Sequence, residues 1–118
     1  MTNERRNSLP LSAKGGIEVY LPDLPKLSYK NLLQAFDDEF TYNFGGCTIV
    51  RGLDGSYFSK VGEKIQDRIN LIYTDSPYSF LENEELLSTY TDKLRKTAFE
   101  ALDEEAVLVV VWQVYHSV

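Results

Sequence analysis

Residues 44–59, FGGCTIVRGLDGSYFS, decide the fold. Two adjacent glycines precede the chain's single cysteine, and an arginine and two further glycines follow. The stretch has the composition of a phosphate-binding loop and also of a helix end running into a β-hairpin. A phosphate loop places its glycines between a strand and the first turn of a helix, where unpaired N–H groups meet the anion. Here the order is reversed. Tyr29, Leu32, Leu33, Phe36 and Phe40 recur at helical spacing before the glycines, and β-branched Thr48-Ile49-Val50 follows them. Gly45-Gly46 therefore stands at the negative end of a helix dipole and supplies the left-handed stop. The stretch is punctuation between a helix and a hairpin.

Working outward, Ser28 is the expected N-cap of that helix, with Leu27 and Leu32 spaced as a hydrophobic staple. Before it, Ile17-Glu18-Val19-Tyr20-Leu21 alternates as a half-buried strand and stops at Pro22. Residues 1–15 are polar and are expected to form a mobile leader, leaving 16–118 as one domain. After the cysteine, Asp54-Gly55 is a hairpin-turn signal, and Lys60–Glu63 marks a second turn or bulge. Lys64–Thr74 predicts a long strand, with Ile65, Asp67, Ile69, Leu71 and Tyr73 on one face and Gln66, Arg68, Asn70 and Ile72 on the other. A second helix begins near Asn83, with an apolar stripe of Leu87, Tyr90, Leu94, Ala98 and Ala101. Glu82, Glu84 and Glu85 lie at its positive end. Ala106–His116 is the last strand.

This order predicts an α+β fold, the ferredoxin-like βαββαβ sandwich, with an antiparallel sheet of order 4-1-3-2 and two helices on one face. The first and third strands become central neighbours, expected to run parallel, and the second and fourth become edges. The helix-free face should carry Glu18, Tyr20, Gln66, Arg68, Asn70 and Ile72, joined by Val109, Val111, Gln113 and Tyr115 if Leu108, Val110 and Trp112 turn inward. The last strand is apolar on both sides. That predicts a covered open face, most simply by a second copy in a homodimer.

Composition narrows the chemistry. A net charge of −6 with no basic stripe repels phosphate backbones, so no nucleic-acid partner is expected. RNA-reading domains of this architecture also stack bases on central-strand aromatics, where this chain has Gln66, Arg68, Asn70 and Ile72. The run Ala106–Trp112 is far short of the ~20 apolar residues that span a bilayer, so no membrane is expected. One cysteine excludes an internal disulfide and suits the cytoplasm. With one cysteine and one histidine, no metal site and no cofactor are expected; the loop that carries Cys-x-x-Cys in metallochaperones is here Leu21-Pro22-Asp23-Leu24-Pro25.

Cys47 and His116 form the single Cys/His pair, but their strands lie three gaps apart, about 14 Å, and at opposite ends if those strands are parallel. No catalytic residue is nominated. Asp67, sharing a face with Ile65 and Ile69, is expected to need a partner, either Arg51 across the hairpin or a helix group, in an ion pair that pins the hairpin. Tyr20, Arg68, Asn70, Gln113, Tyr115 and His116 are the candidate binding residues for a small anionic or carbonyl-bearing molecule. The expected function is a non-catalytic binding or assembly module working through its open sheet. The alternative is a small dimeric α+β barrel enzyme, monooxygenase- or isomerase-like, using Tyr20, Arg68, Tyr115 and His116.

Gly55-x-Tyr57, then Gly62 and Asp67 at successive intervals of five, together with Phe44-Gly45-Gly46-Cys47-Thr48-Ile49, resemble an uncharacterised group of small bacterial ferredoxin-like proteins. The likeness spans residues 17–118. It implies the fold and the hairpin, and carries no activity with it.

Overall fold

The structure is a computed structural model that describes residues 11–102 and 108–117, with the backbone alone described at 11, 12 and 114–117. The elements run β1 (Leu11–Pro22), α1 (Leu27–Phe44), β2 (Thr48–Phe58), β3 (Lys64–Ser79), α2 (Glu84–Leu102) and β4 (Leu108–Ser117). The sheet order is β2-β3-β1-β4, which read from the β4 edge is the expected 4-1-3-2. All three pairings are antiparallel. β1 and β3 therefore run in opposite directions, not parallel, because the α1 crossover returns the chain with β2 pointing the same way as β1 and the hairpin then reverses it into β3.

Helix α1 buries all five residues of its predicted stripe. Leu32, Leu33, Phe36 and Phe40 meet Ile17, Val19 and Leu21 of β1, Ile72 of β3, and Leu87, Leu94 and Ala98 of α2 in one cluster, so both helices cover the same sheet face. Burial of each large side chain contributes roughly 1.5–3 kcal/mol. The helix stops where the sequence predicts: Gly45 is left-handed at φ 89°, and its N–H donates to the Thr41 carbonyl. Its start differs, because Lys26 occupies the cap position and no side chain caps the helix.

The hairpin turn lies at Ser59–Glu63, where the Ser59 and Glu63 backbones bond and Gly62 turns left-handed at φ 82°. Asp54-Gly55 is instead inside β2, opposite Arg68 and Asp67. A Cβ on Gly55 would collide with the Ile69 side chain, so this glycine makes room across the ladder instead of turning the chain. β1 is longer than predicted and takes in residues 11–15; residues 1–10 lie outside the described residues. β3 runs through Pro77 to Ser79. Its first five residues and their β2 partners extend past the end of β1, whose last pair is Pro22↔Ile69. Among the described residues, no helix is long and apolar enough to cross a membrane.

Strand faces are the main departure. Directly paired residues share a face, and Val19↔Ile72 and Ile17↔Thr74 put Asn70, Ile72, Thr74 and Ser76 under the helices. In β4, Val109 and Val111 pack against the core, while Leu108 and Trp112 are exposed on the open side. β1 keeps its predicted phase, with Ile17, Val19 and Leu21 inward. β3 alternates as predicted with the opposite phase inward, and β4 takes the phase that turns Val109 and Val111 to the core. The apolar residues Ile65, Ile69 and Leu71 belong to the open face, since they alternate in phase with Tyr73 and opposite to Asn70 and Ile72.

Candidate functional site: the open sheet face

On the open face, ladder register aligns Thr48, Tyr73, Glu18 and Val110 across the sheet, with Val50, Leu71, Tyr20 and Leu108 in the next row. Leu53, Tyr57, Ile65 and Ile69 continue the surface onto the hairpin. Trp112 is 53% exposed, Leu108 56% and Tyr73 37%. Opposite Trp112 stands Gly16, which presents no side chain to either face. An apolar surface this continuous is uncommon on a monomer.

One carboxylate sits within it. Glu18 Oε1 accepts the Tyr20 hydroxyl at 2.8 Å and the Trp112 indole N–H at 2.7 Å. The bond to Glu18 raises the Tyr20 phenol above its ordinary value, and burial and the glutamate's charge act in the same direction. Two donors thus already hold the charge. A second surface laid over this face would meet a carboxylate whose hydrogen bonds are partly satisfied, which lowers the penalty of removing it from water.

The six candidate binding residues do not gather in one place. Tyr20 lies on the open face. Asn70 lies under the helices, where its side chain accepts from the Gly52 N–H at 3.1 Å and donates to Asp23 at 3.2 Å. Arg68 is on the same side of β3 as Asn70 and donates to the Gly52 carbonyl at 3.2 Å. Gln113 pairs with Gly15 in register with the helix-facing valines. Tyr115 and His116 are placed by backbone alone, opposite Ala13 and Ser12 at the far end of β1 from Tyr20. Arg51 and Gly52 form a bulge, so Asp67 faces Gly55, and among the described residues no ion pair joins it to Arg51.

Cys47 and His116 prove to lie toward the same end of the sheet, since β2 and β4 are antiparallel. They remain apart: Thr48 is level with Glu18, and His116 with Ser12, about 20 Å further along and three strands across. Cys47 packs against the core and donates to Asp37 Oδ1 at 3.3 Å. Burial and that carboxylate push the thiol up, which favours the protonated, non-nucleophilic form.

A cleft of about 550 Å³ lies between the β1–α1 loop, α1 and the β2 bulge. Asp23, Lys30, Asp37, Arg51 and Asn70 reach its wall. Sequence reasoning had Asn70 on the other face and so missed this cleft. It left the phase of β4, and so the side of Trp112, open; the signals that place Trp112 outward were Glu18 and Gly16, an acid and a bare position on the neighbouring strand. Among the described residues, no three His, Cys, Asp or Glu side chains gather in a way that could hold a metal ion.

No family model matches the chain, and neither does any curated protein. Solved structures do. CutA1 from Oryza sativa is 15% identical with TM-score 0.55, over 87% of this chain and 81% of its own. The divalent cation tolerance protein CutA1 from Thermus thermophilus is 13% identical with TM-score 0.57, over 86% and 84%. A phage SAM lyase in its apo state is 13% identical with TM-score 0.59, over 90% and 89%. At such identities the likeness establishes the ferredoxin-like fold alone. Its neighbours include the CutA proteins, a named family, where the sequence pointed to an uncharacterised group.

Proposed function

We propose that the protein is a non-catalytic binding and assembly module, self-associating through the open sheet face. The observation that carries this reading is the exposed Leu108–Tyr73–Trp112 surface with the pre-bonded Glu18 at its centre. A four-stranded face about ten residues long measures on the order of 20 by 33 Å, close to the ~800 Å² per partner of a standard interface. The reading includes a homodimer as the simplest assembly, membership of the small bacterial group suggested by the Gly55–Asp67 spacing, and residence in the cytoplasm, where a lone thiol persists.

Sedimentation velocity on the full chain tests it. Wild type should sediment as an oligomer at micromolar concentration, and Trp112→Lys as a soluble, folded monomer. Val111→Lys, on the helix side, would instead damage the core and report nothing about association. A folded Trp112→Lys protein that remains oligomeric would exclude this face.

A second reading rests on the 550 Å³ cleft, which exceeds the ~300 Å³ of a minimal ligand pocket and gathers polar groups of both signs. The phage lyase shows that this architecture hosts enzymes, although fold does not transfer activity. Loss of a turnover or ligand response in Asn70→Ala, without loss of folding, would favour it.

A further inference from the structure

A second concavity, about 630 Å³, lies on the other side of α1 from the cleft above, between its last turns, the end of β3 and the first turns of α2. Its walls are aromatic. Phe44 meets Tyr90 with ring centroids 5.6 Å apart and Tyr78 at 6.5 Å, each at an interplanar angle of 87°. Tyr78 is 43% exposed, and Phe44 and Tyr90 are half-buried, so ring surface remains open to the groove. The charged groups of the lining are three carboxylates, Glu39, Glu82 and Glu85, and one ammonium, Lys93; Leu86 and Leu87 add apolar surface.

The charges have separate origins. Glu85 offsets the positive end of α2, as expected of an acid in a first helical turn. Glu39 has no such duty: it accepts the Tyr90 hydroxyl at 2.7 Å, which fixes both the carboxylate and the ring. The C-terminal end of α1 adds partial negative charge nearby, and no basic residue occupies its last turn.

Aromatic rings and carboxylates lining one groove select one kind of guest. Anions are repelled. Potassium and primary ammonium ions are strongly hydrated and would lose water to ring faces that accept hydrogen bonds poorly. A methylated ammonium carries its charge on an apolar shell and gains cation–π attraction of about 0.5–2 kcal/mol. We infer that the Phe44–Tyr78–Tyr90 groove, with Glu39 and Glu82, is a binding site for methylated ammonium groups. The site is independent of the open sheet face.

Titration calorimetry and chemical-shift mapping on the full chain, with choline and with a trimethyllysine peptide as probes, test this. Saturable binding at millimolar concentration is expected, with shifts confined to the groove. Tyr78→Ala, at a half-exposed position that should leave the fold intact by circular dichroism, should weaken binding roughly tenfold. Glu39→Gln should weaken it roughly threefold by removing one partly screened charge. Trp112→Lys should bind as wild type does, which separates this site from the assembly surface. A peptide that binds at least tenfold more tightly than choline identifies a modified protein tail as the source; equal or weaker peptide binding identifies a free small cation. No saturation by either probe up to about 100 mM, above any useful affinity, or unchanged binding in a folded Tyr78→Ala, would overturn the assignment.

Discussion

The two faces of the sheet contain similar amounts of apolar surface and have different fates. Under the helices, Ile17, Val19 and Ile72 are fully buried against α1 and α2. On the other side, Tyr73, Leu108 and Trp112 have comparable bulk and remain in contact with water. The strands contribute to both faces equally, so composition alone does not say which face is the core. Helix placement does. The open face differs in one further respect, because it carries an acid with two fixed donors where the inner face carries aliphatic side chains. A core excludes such a group; an interface can accommodate it.

That comparison breaks most visibly when the same truncation is made on each side. Phe40→Ala, which empties a fully buried site, should cost about 3–5 kcal/mol in denaturant unfolding. Trp112→Ala should cost the isolated subunit less than ~1 kcal/mol, as expected for an exposed residue. Equal losses at both positions, measured at a concentration where wild type is monomeric, would mean that the open face is part of the fold's own core.

A smaller effect sharpens the inner face. Ser76 is 1% exposed, and among the described residues its hydroxyl has no hydrogen-bond partner. Ser76→Ala should therefore stabilise the protein by about 1 kcal/mol, raising the melting midpoint by several degrees. A lower midpoint would show that the hydroxyl has a partner.

The architecture was legible because α1 is unambiguous. Five apolar residues at helical spacing and a Gly-Gly stop leave one reading, and the chain order around them dictates the sheet. The Asp54-Gly55 turn signal misled because glycine at 55 answers to Ile69 packing, a contact made across the ladder and invisible in local sequence. Strand β4 could not be phased from its own residues, since Leu108, Val109, Val110 and Val111 offer apolar side chains to both sides. The candidate site suffered from that ambiguity and from the opposite phase in β3, which placed Asn70 and Ile72 on the open face. Glu18 is what sequence could have used, for an acid in a central strand needs donors, and Tyr20 and Trp112 are the ones within reach.

Trp112 is the chain's sole tryptophan, so its fluorescence reports directly on the surface in question. Emission and acrylamide quenching should be measured across a dilution series that spans the oligomer–monomer transition. The account predicts blue-shifted, protected emission in the oligomer that turns water-exposed as the subunits separate. A tryptophan that stays equally quenchable in oligomer and monomer would contradict it, by showing that the subunits meet elsewhere.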